Sequence, residues 1–256
     1  MSNPWEKPVD TNDDLKRRLL ASGRRHGYWR SGRAFWFYCR RELLPGIDFR
    51  GKRFLDIGAG DGRYSLYAWA NGASKIVAVE PQLEGSSDGS LDKLSRMVGE
   101  LKADGVVILK RLFQELDIEH DAYDVILLHN SINHLDEDMC MKLPHDMMAV
   151  EAYRLVARRL RSLMCPEARL IITDCGRGNL STRWNLRRGS SFNHTIEWHK
   201  HQEPKTWVGI LASEGFAIEK VSYTGVPRLL FLSYLFKNRL LAYMRWNHFI
   251  LTFRAV

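Results

Sequence analysis

Short apolar runs bounded by glycine or polar positions recur along the chain, separated by stretches whose apolar residues repeat at helical spacing. Phe54, Leu55 and Ile57 make the first run, Ile76 to Val79 the second, and Val106 to Leu109 the third. Tyr123 to Leu128 and Arg169 to Asp174 follow. Runs this brief and continuous fit strands buried on both faces of a parallel sheet. Between them, Leu91, Leu94, Val98 and Leu101 mark one face of a helix over about 91–103. Met148, Ala152, Leu155, Val156 and Leu160 predict the inward face of another from His145 to Met164. A third helix from Pro204 to Glu214 would turn Trp207, Ile210 and Leu211 inward and end at Gly215. Ala217 to Tyr223 and Phe249 to Phe253 supply the last two strands. The alternation predicts an α/β fold, a doubly wound Rossmann-like sheet of seven strands.

Ahead of the sheet, Thr11 or Asn12 would cap a helix running through Leu15, Leu19 and Leu20, with Gly23 and Gly27 breaking its periodicity. A second helix is expected from about Arg33 to Leu44, stopping before Pro45. Residues 1–50 thus read as a helical cover on a domain spanning 51–256. The stretch RRHGYWRSGRAFWFYCRR is dense in aromatics and arginines. It is either a lid, with Tyr28, Trp29 or Trp36 over a ligand and Arg24, Arg25, Arg30 or Arg33 facing an anion, or an amphipathic helix with its aromatics in the core.

The chemistry is concentrated after the first strand. Gly58, Gly60 and Gly62 let the backbone turn sharply and approach a ligand before a helix begins at Tyr64. The second strand ends on Glu80, where a doubly wound fold places the carboxylate that holds a ribose. A dinucleotide fingerprint would carry glycine where Arg63 stands, and the acids Asp56 and Asp61 face a cation or amine better than a pyrophosphate. The block D-I-G-A-G-D-G with Glu80 resembles the cofactor motif of class I S-adenosylmethionine-dependent methyltransferases. That resemblance implies S-adenosylmethionine as cofactor, bound by Asp56, Gly58, Gly60, Asp61 and Glu80. It also implies an adenine edge near Phe113 and Gln114, whose residue-level alternatives are core packing and a turn, and a final strand pair antiparallel at one edge.

The fourth strand delivers the chain to HNSINHLDED, beyond the carboxyl end of the sheet, where ligands of open α/β sheets bind. His129 is grouped with the cofactor residues, although it would equally satisfy a loop carbonyl. Asn130 and Asn133 are expected to contact substrate, and Asn130 and His134 would share a face if the turn is helical. After the fifth strand, residues 176–203 form an insertion too long for a simple connection. Within it, Glu197, His199 and His201 alternate, so an extended backbone would present all three on one side. They would hold a divalent metal, supply a base, or decorate the surface. The expected site includes no metal, takes His134 and His199 as catalytic bases with Glu197 or Asp174 orienting them, and gives Glu197 and His201 to substrate.

Composition adds less. The net charge of +8 suits an acidic partner: nucleic acid, a phosphorylated sugar or an anionic membrane surface. Cys39, Cys140, Cys165 and Cys175 show no metal spacing and predict reduced thiols in a cytoplasmic protein. The polar start offers no signal-peptide core. The apolar run Leu229 to Phe236, inside a basic insertion at 225–246, is too short to cross a bilayer. It would lie on a membrane surface, close over a lipid-linked substrate, pack on a second subunit or pack on its own core.

The N-terminal aromatics, the HNSINHLDE turn and the IEWHKHQ segment are together similar to methyltransferases of polysaccharide and lipopolysaccharide assembly. The expected activity is O-methylation of a sugar, glycan or other small-molecule hydroxyl by in-line transfer. The alternative is a tRNA-modifying methyltransferase, similar in layout to wobble-uridine enzymes. The absence of an N-P-P-Y type turn after the fourth strand argues against base amines as acceptors.

Overall fold

The computed structural model describes residues 11–81, 89–117, 122–178, 197–224, 239–244 and 247–256. Two helices, α1 (Thr11–Arg25) and α2 (Gly32–Tyr38), precede the sheet. α2 runs into a π-helical turn at Cys39–Leu43, so the chain leaves helical geometry just before Pro45, as expected from its fixed φ. The strands are β1 (Arg53–Ile57), β2 (Lys75–Val79), β3 (Val106–Leu109), β4 (Tyr123–His129), β5 (Met164–Cys175), β6 (Phe216–Tyr223) and β7 (His248–Ala255). They form one seven-stranded sheet in the order β3-β2-β1-β4-β5-β7-β6. Neighbours are parallel except β7, which is antiparallel to both β5 and β6. The expected α/β sheet, with its antiparallel edge, is what the chain forms.

Because side chains alternate along a strand, each strand contributes to two cores. Phe54, Ile76, Val125, Leu127, Ile171 and Ile250 face the N-terminal helices together with α3 (Arg63–Ala70) and α4 (Ser90–Leu101). Leu55, Ile126, Leu128, Ile172 and Phe253 face α6 (Met147–Ser162) and α7 (Pro204–Ala212). The cover therefore shares its apolar interior with the sheet: Leu19, Phe35 and Cys39 are as buried as the strands beneath them.

Local details depart from expectation in informative ways. α1 continues through Gly23 to Arg25, and Arg25 is paired with Glu100 rather than turned to a ligand. Tyr28 is buried beneath Lys93, and Trp29 stacks on Phe35. A short helix, α5 (Glu137–Lys142), capped by Asp136, was not anticipated. α6 is rotated from the expected phase: Met148 and Leu155 are exposed, while Ala149, Tyr153, Ala157 and Leu160 are buried. Two of the buried positions are alanines, which give little apolar signal, so the large exposed side chains set the wrong stripe. Most of the 176–203 insertion and of 225–246 lies outside the described residues; within the latter, α8 (Arg239–Met244) is a single short helix. Among the described residues no helix is long and apolar enough to cross a membrane.

Two polar side chains lock the helices that shape the ligand end. The fully buried Asp56 accepts from the Ser65 backbone N–H at 3.1 Å and its hydroxyl at 2.7 Å, tying β1 to the start of α3. Burial pushes the Asp56 carboxyl up to about 7, against the lowering effect of the Ser65 donors. Tyr153 donates from α6 to the carbonyls of Ile132 and Asp136, each at 3.1 Å, holding the segment after β4.

Replacing Tyr153 by Phe is expected to cost on the order of 1–2 kcal/mol in urea denaturation, the loss of one buried donor. Asp56→Asn tests the buried acid. A carboxyl held at about 7 when folded and near 4 when unfolded stabilises the native state below pH 4, and that contribution is lost as pH rises through 7. Urea midpoints at pH 4.5 and 7.5 should show the variant gaining on the wild type at the higher pH by a few kcal/mol. A constant difference would rule out the raised pKa.

Candidate active site

The turn after β1 is closed by β2. The N–H groups of Gly58 and Ala59 both donate to the Val79 carbonyl, at 2.8 and 3.0 Å. Gly58 has φ 72°, and a Cβ there would lie 2.4 Å from that of Ser131, whose hydroxyl donates to the Ile57 carbonyl at 2.6 Å. Glycine is needed at 58 because the chain after β4 crosses directly over it. Gly60 differs: a Cβ there would meet nothing within 4 Å, and its N–H donates to Glu80 Oε2 at 2.8 Å. The result is an open-sided turn with a buried carboxylate at the end of β2.

The two aspartates of the motif both have partners within the protein. Asp56 spends one oxygen on Ser65, leaving Oδ1 buried without a partner. Asp61 meets the protein's own cations, Arg63 at 2.5 Å and Lys93 at 3.6 Å, instead of presenting an open carboxylate. Gln114 donates to the Leu135 carbonyl, and Phe113 is buried with the Arg159 guanidinium 5.4 Å from its ring centre. Both thus serve the loop and the core in this structure.

A polar network spans the carboxyl ends of β4, β5 and β6 and the start of β7. His129 Nε2 lies 2.9 Å from the Tyr64 hydroxyl and 3.2 Å from that of Tyr38. Burial, with His248 and Arg63 nearby, pushes the His129 imidazole down to about 3, so it is neutral at ordinary pH. Burial raises both tyrosines far above their usual range, so both remain hydroxyls beside the neutral ring. Asn130 has φ 55°, a left-handed residue that turns the chain off the strand. Its Oδ1 accepts from the Thr173 hydroxyl at 3.2 Å and lies 2.9 Å from His248 Nε2. His248 Nδ1 is 2.5 Å from the Thr224 hydroxyl.

Beside this network stands a carboxylate–imidazole pair. His201 Nδ1 is 2.7 Å from Oδ1 of Asp174, which is fully buried at the end of β5 and also accepts from the Cys175 N–H at 2.7 Å. Burial raises the Asp174 carboxyl, and His201 and the Cys175 N–H oppose that shift. With Nδ1 directed at the acid, Nε2 points away from it, the orientation of a base held by a carboxylate. The segment carrying His201 is fastened to α5: Gln202 donates to the Cys140 carbonyl at 2.6 Å, and the Cys140 thiol to the Lys200 carbonyl at 3.2 Å.

This placement corrects the expected alternation. Residues 198–200 form a 3₁₀ turn, so Glu197, His199 and His201 do not line one side of an extended strand. Glu197 is exposed and pairs with Lys200 at 2.7 Å, and His199 is exposed. Asn130 and His134 share no helical face either, because Asn130 is left-handed and the 3₁₀ turn begins at Ile132. His134 is exposed, 2.5 Å from Glu137, whereas Asn133 is buried with both amide atoms unpartnered. Tyr38, Tyr64, Thr224 and His248 were not anticipated. The signal for His248 was available: a strand antiparallel to β5 must begin at the ligand end, so its first residue belongs to the site.

Comparison with known proteins fits this geometry. A candidate S-adenosylmethionine-dependent methyltransferase from Listeria monocytogenes superposes with a TM-score of 0.59 at 16% identity, over 88% of this chain and 100% of its own. An S-adenosylmethionine-dependent methyltransferase from Mesorhizobium loti gives 0.55 at 16%, over 86% and 97%. The [4+2]-cyclase SpnF gives 0.54 at 12%, over 96% of both chains, so the fold also carries other chemistry. A sequence search of the curated proteins finds no match. The methyltransferase-domain family model matches residues 28–221, and the chain belongs to that family.

Proposed function

We propose that the protein is an S-adenosylmethionine-dependent O-methyltransferase acting on a hydroxyl of a sugar, glycan or other small molecule, with His201 as general base oriented by Asp174. The observation that carries this reading is the 2.7 Å contact between the His201 imidazole and a fully buried carboxylate at the carboxyl end of β5.

The open side of Gly60, the buried Glu80 and the unpartnered Asp56 Oδ1 fit a ligand with ribose hydroxyls and an ammonium group. Glu80 would hold the ribose, the turn at 58–60 the methionine portion, and Asp56 Oδ1 the amine. When bound, S-adenosylmethionine supplies a methyl group already activated on a sulfonium. What remains for the protein is to align an acceptor oxygen, exclude water and take up its proton. A sugar hydroxyl is a weak nucleophile at neutral pH, so proton removal during attack requires a positioned base. His201 meets that need better than His134 or His199, which are exposed and lack a buried acid behind them. Asn130 and the buried amide of Asn133 would position the acceptor.

Calorimetric titration with S-adenosylhomocysteine should show micromolar binding by the wild type and its loss in Glu80→Ala; absence of wild-type binding refutes the cofactor assignment. An acceptor screen over nucleotide sugars, lipid-linked glycans and transfer RNA then identifies the substrate class. With that acceptor, His201→Ala should lower turnover by roughly 10²–10⁴-fold with S-adenosylhomocysteine affinity unchanged, and Asp174→Asn should lower it similarly. Full activity of His201→Ala would move the base elsewhere.

A further inference from the structure

Between the N-terminal cover and the outer edge of the sheet lies a groove of about 1190 Å³. Its walls come from α2 and the π-helical turn on one side, residues 44–50 at one end, and β6 with the first residue of α8 on the other. Gly60, Glu80, Asp174 and His201 are not among its walls. β6 is the outermost strand, and its residues 218–221 are exposed, so the groove runs along the sheet margin.

Four exposed cations face this space: Arg40 and Arg41 from the π-helical turn, Lys220 from β6 and Arg239 from α8. None of them forms an ion pair among the described residues. The acids along the same walls do not neutralise them. Asp48 is held by Arg50 at 2.7 Å, Glu42 is buried, and Asp13 is the remaining exposed carboxylate. Like charges gathered on opposing walls repel one another, and a multivalent anion between them relieves that repulsion. The groove also has aromatic walls. Trp36 is held in place by Lys16, 4.8 Å above its ring, and by Tyr67 at 4.8 Å, while Tyr223 lies partly exposed at the end of β6.

Guanidinium groups match phosphate oxygens bidentately, and aromatic faces accept a base by stacking. A single phosphate would engage only part of a space larger than typical small-ligand pockets, which run to about 1,000 Å³. We infer that this groove binds a nucleoside diphosphate, with its pyrophosphate among Arg40, Arg41, Lys220 and Arg239 and its base against Tyr223. The inference does not rest on the proposed methyl transfer.

The test is calorimetric titration of the full chain with uridine 5′-diphosphate and with inorganic pyrophosphate at low and moderate salt. Both should bind, the nucleotide more tightly and each more weakly as salt rises. The double variant Arg40→Glu with Arg41→Glu, and separately Lys220→Glu, should weaken both ligands by about tenfold or more. Tyr223→Ala should weaken the nucleotide and leave pyrophosphate unchanged, which separates base recognition from charge alone. Thermal melts of each variant establish that the chain is folded. No binding of either anion, affinities indifferent to charge reversal, or displacement of the nucleotide by S-adenosylhomocysteine would overturn the inference. So would much tighter binding of a short single-stranded RNA at equal salt, which would make the groove a nucleic-acid tract. Failure of S-adenosylhomocysteine to bind would refute the cofactor assignment while leaving the nucleotide titration readable.

Discussion

The Val79 carbonyl receives two backbone N–H groups, from Gly58 and Ala59, and through that shared acceptor the turn after β1 is fastened to the end of β2. Everything near the ligand end takes its position from this closure. It sets Gly60 N–H against Glu80, and it leaves Gly58 so close to the segment after β4 that no side chain fits between them. The helix that follows is fixed by Asp56, a charge-bearing group placed in the interior at the cost of a strongly shifted pKa. A turn stapled at three points holds its shape without a ligand, which limits the ordering cost of binding one.

The order of the strands then decides which side chains meet. β4 lies beside β1, and β5 beside β4, so His129 and Asp174 emerge at the same end of the sheet as the glycine turn. The reversed direction of β7 brings His248 to the same end. The cover adds Tyr38, whose hydroxyl reaches His129 across 91 residues of sequence. The site is therefore assembled from strand ends, a helix start, a distant cover and an insertion. No one of these is complete alone.

The sheet was legible because its signal is local and redundant: continuous apolar runs, helices between them, and a glycine turn followed by an acid at the right interval. The turn itself was legible for the same reason: Gly58 and Gly60 have positive φ, and Glu80 at the end of β2 accepts from the Gly60 N–H. Asp61 lies against Arg63, two positions on, and against Lys93 of α4, and composition does not show such pairing. His201 was named among the candidates but given the wrong companions. The alternation of Glu197, His199 and His201 assumed an extended backbone, while a 3₁₀ turn and a partner 27 positions earlier set the real arrangement. Tyr38, Tyr64 and Thr224 lie beyond such reasoning, since their role depends on how the cover packs.

The attachment of the His201 segment to α5 separates two parts of the ligand end mechanically. Gln202 and Lys200 dock on Cys140 through backbone carbonyls and a thiol, not through the floor built by β1 and β2. Neither contact involves the turn after β1, so a change in residues 200–202 leaves the Gly58–Val79 closure untouched. The His201 segment is thus a strap tied to α5, to Asp174 and to the residues just after β5, beside a sheet whose glycine turn is closed independently of it.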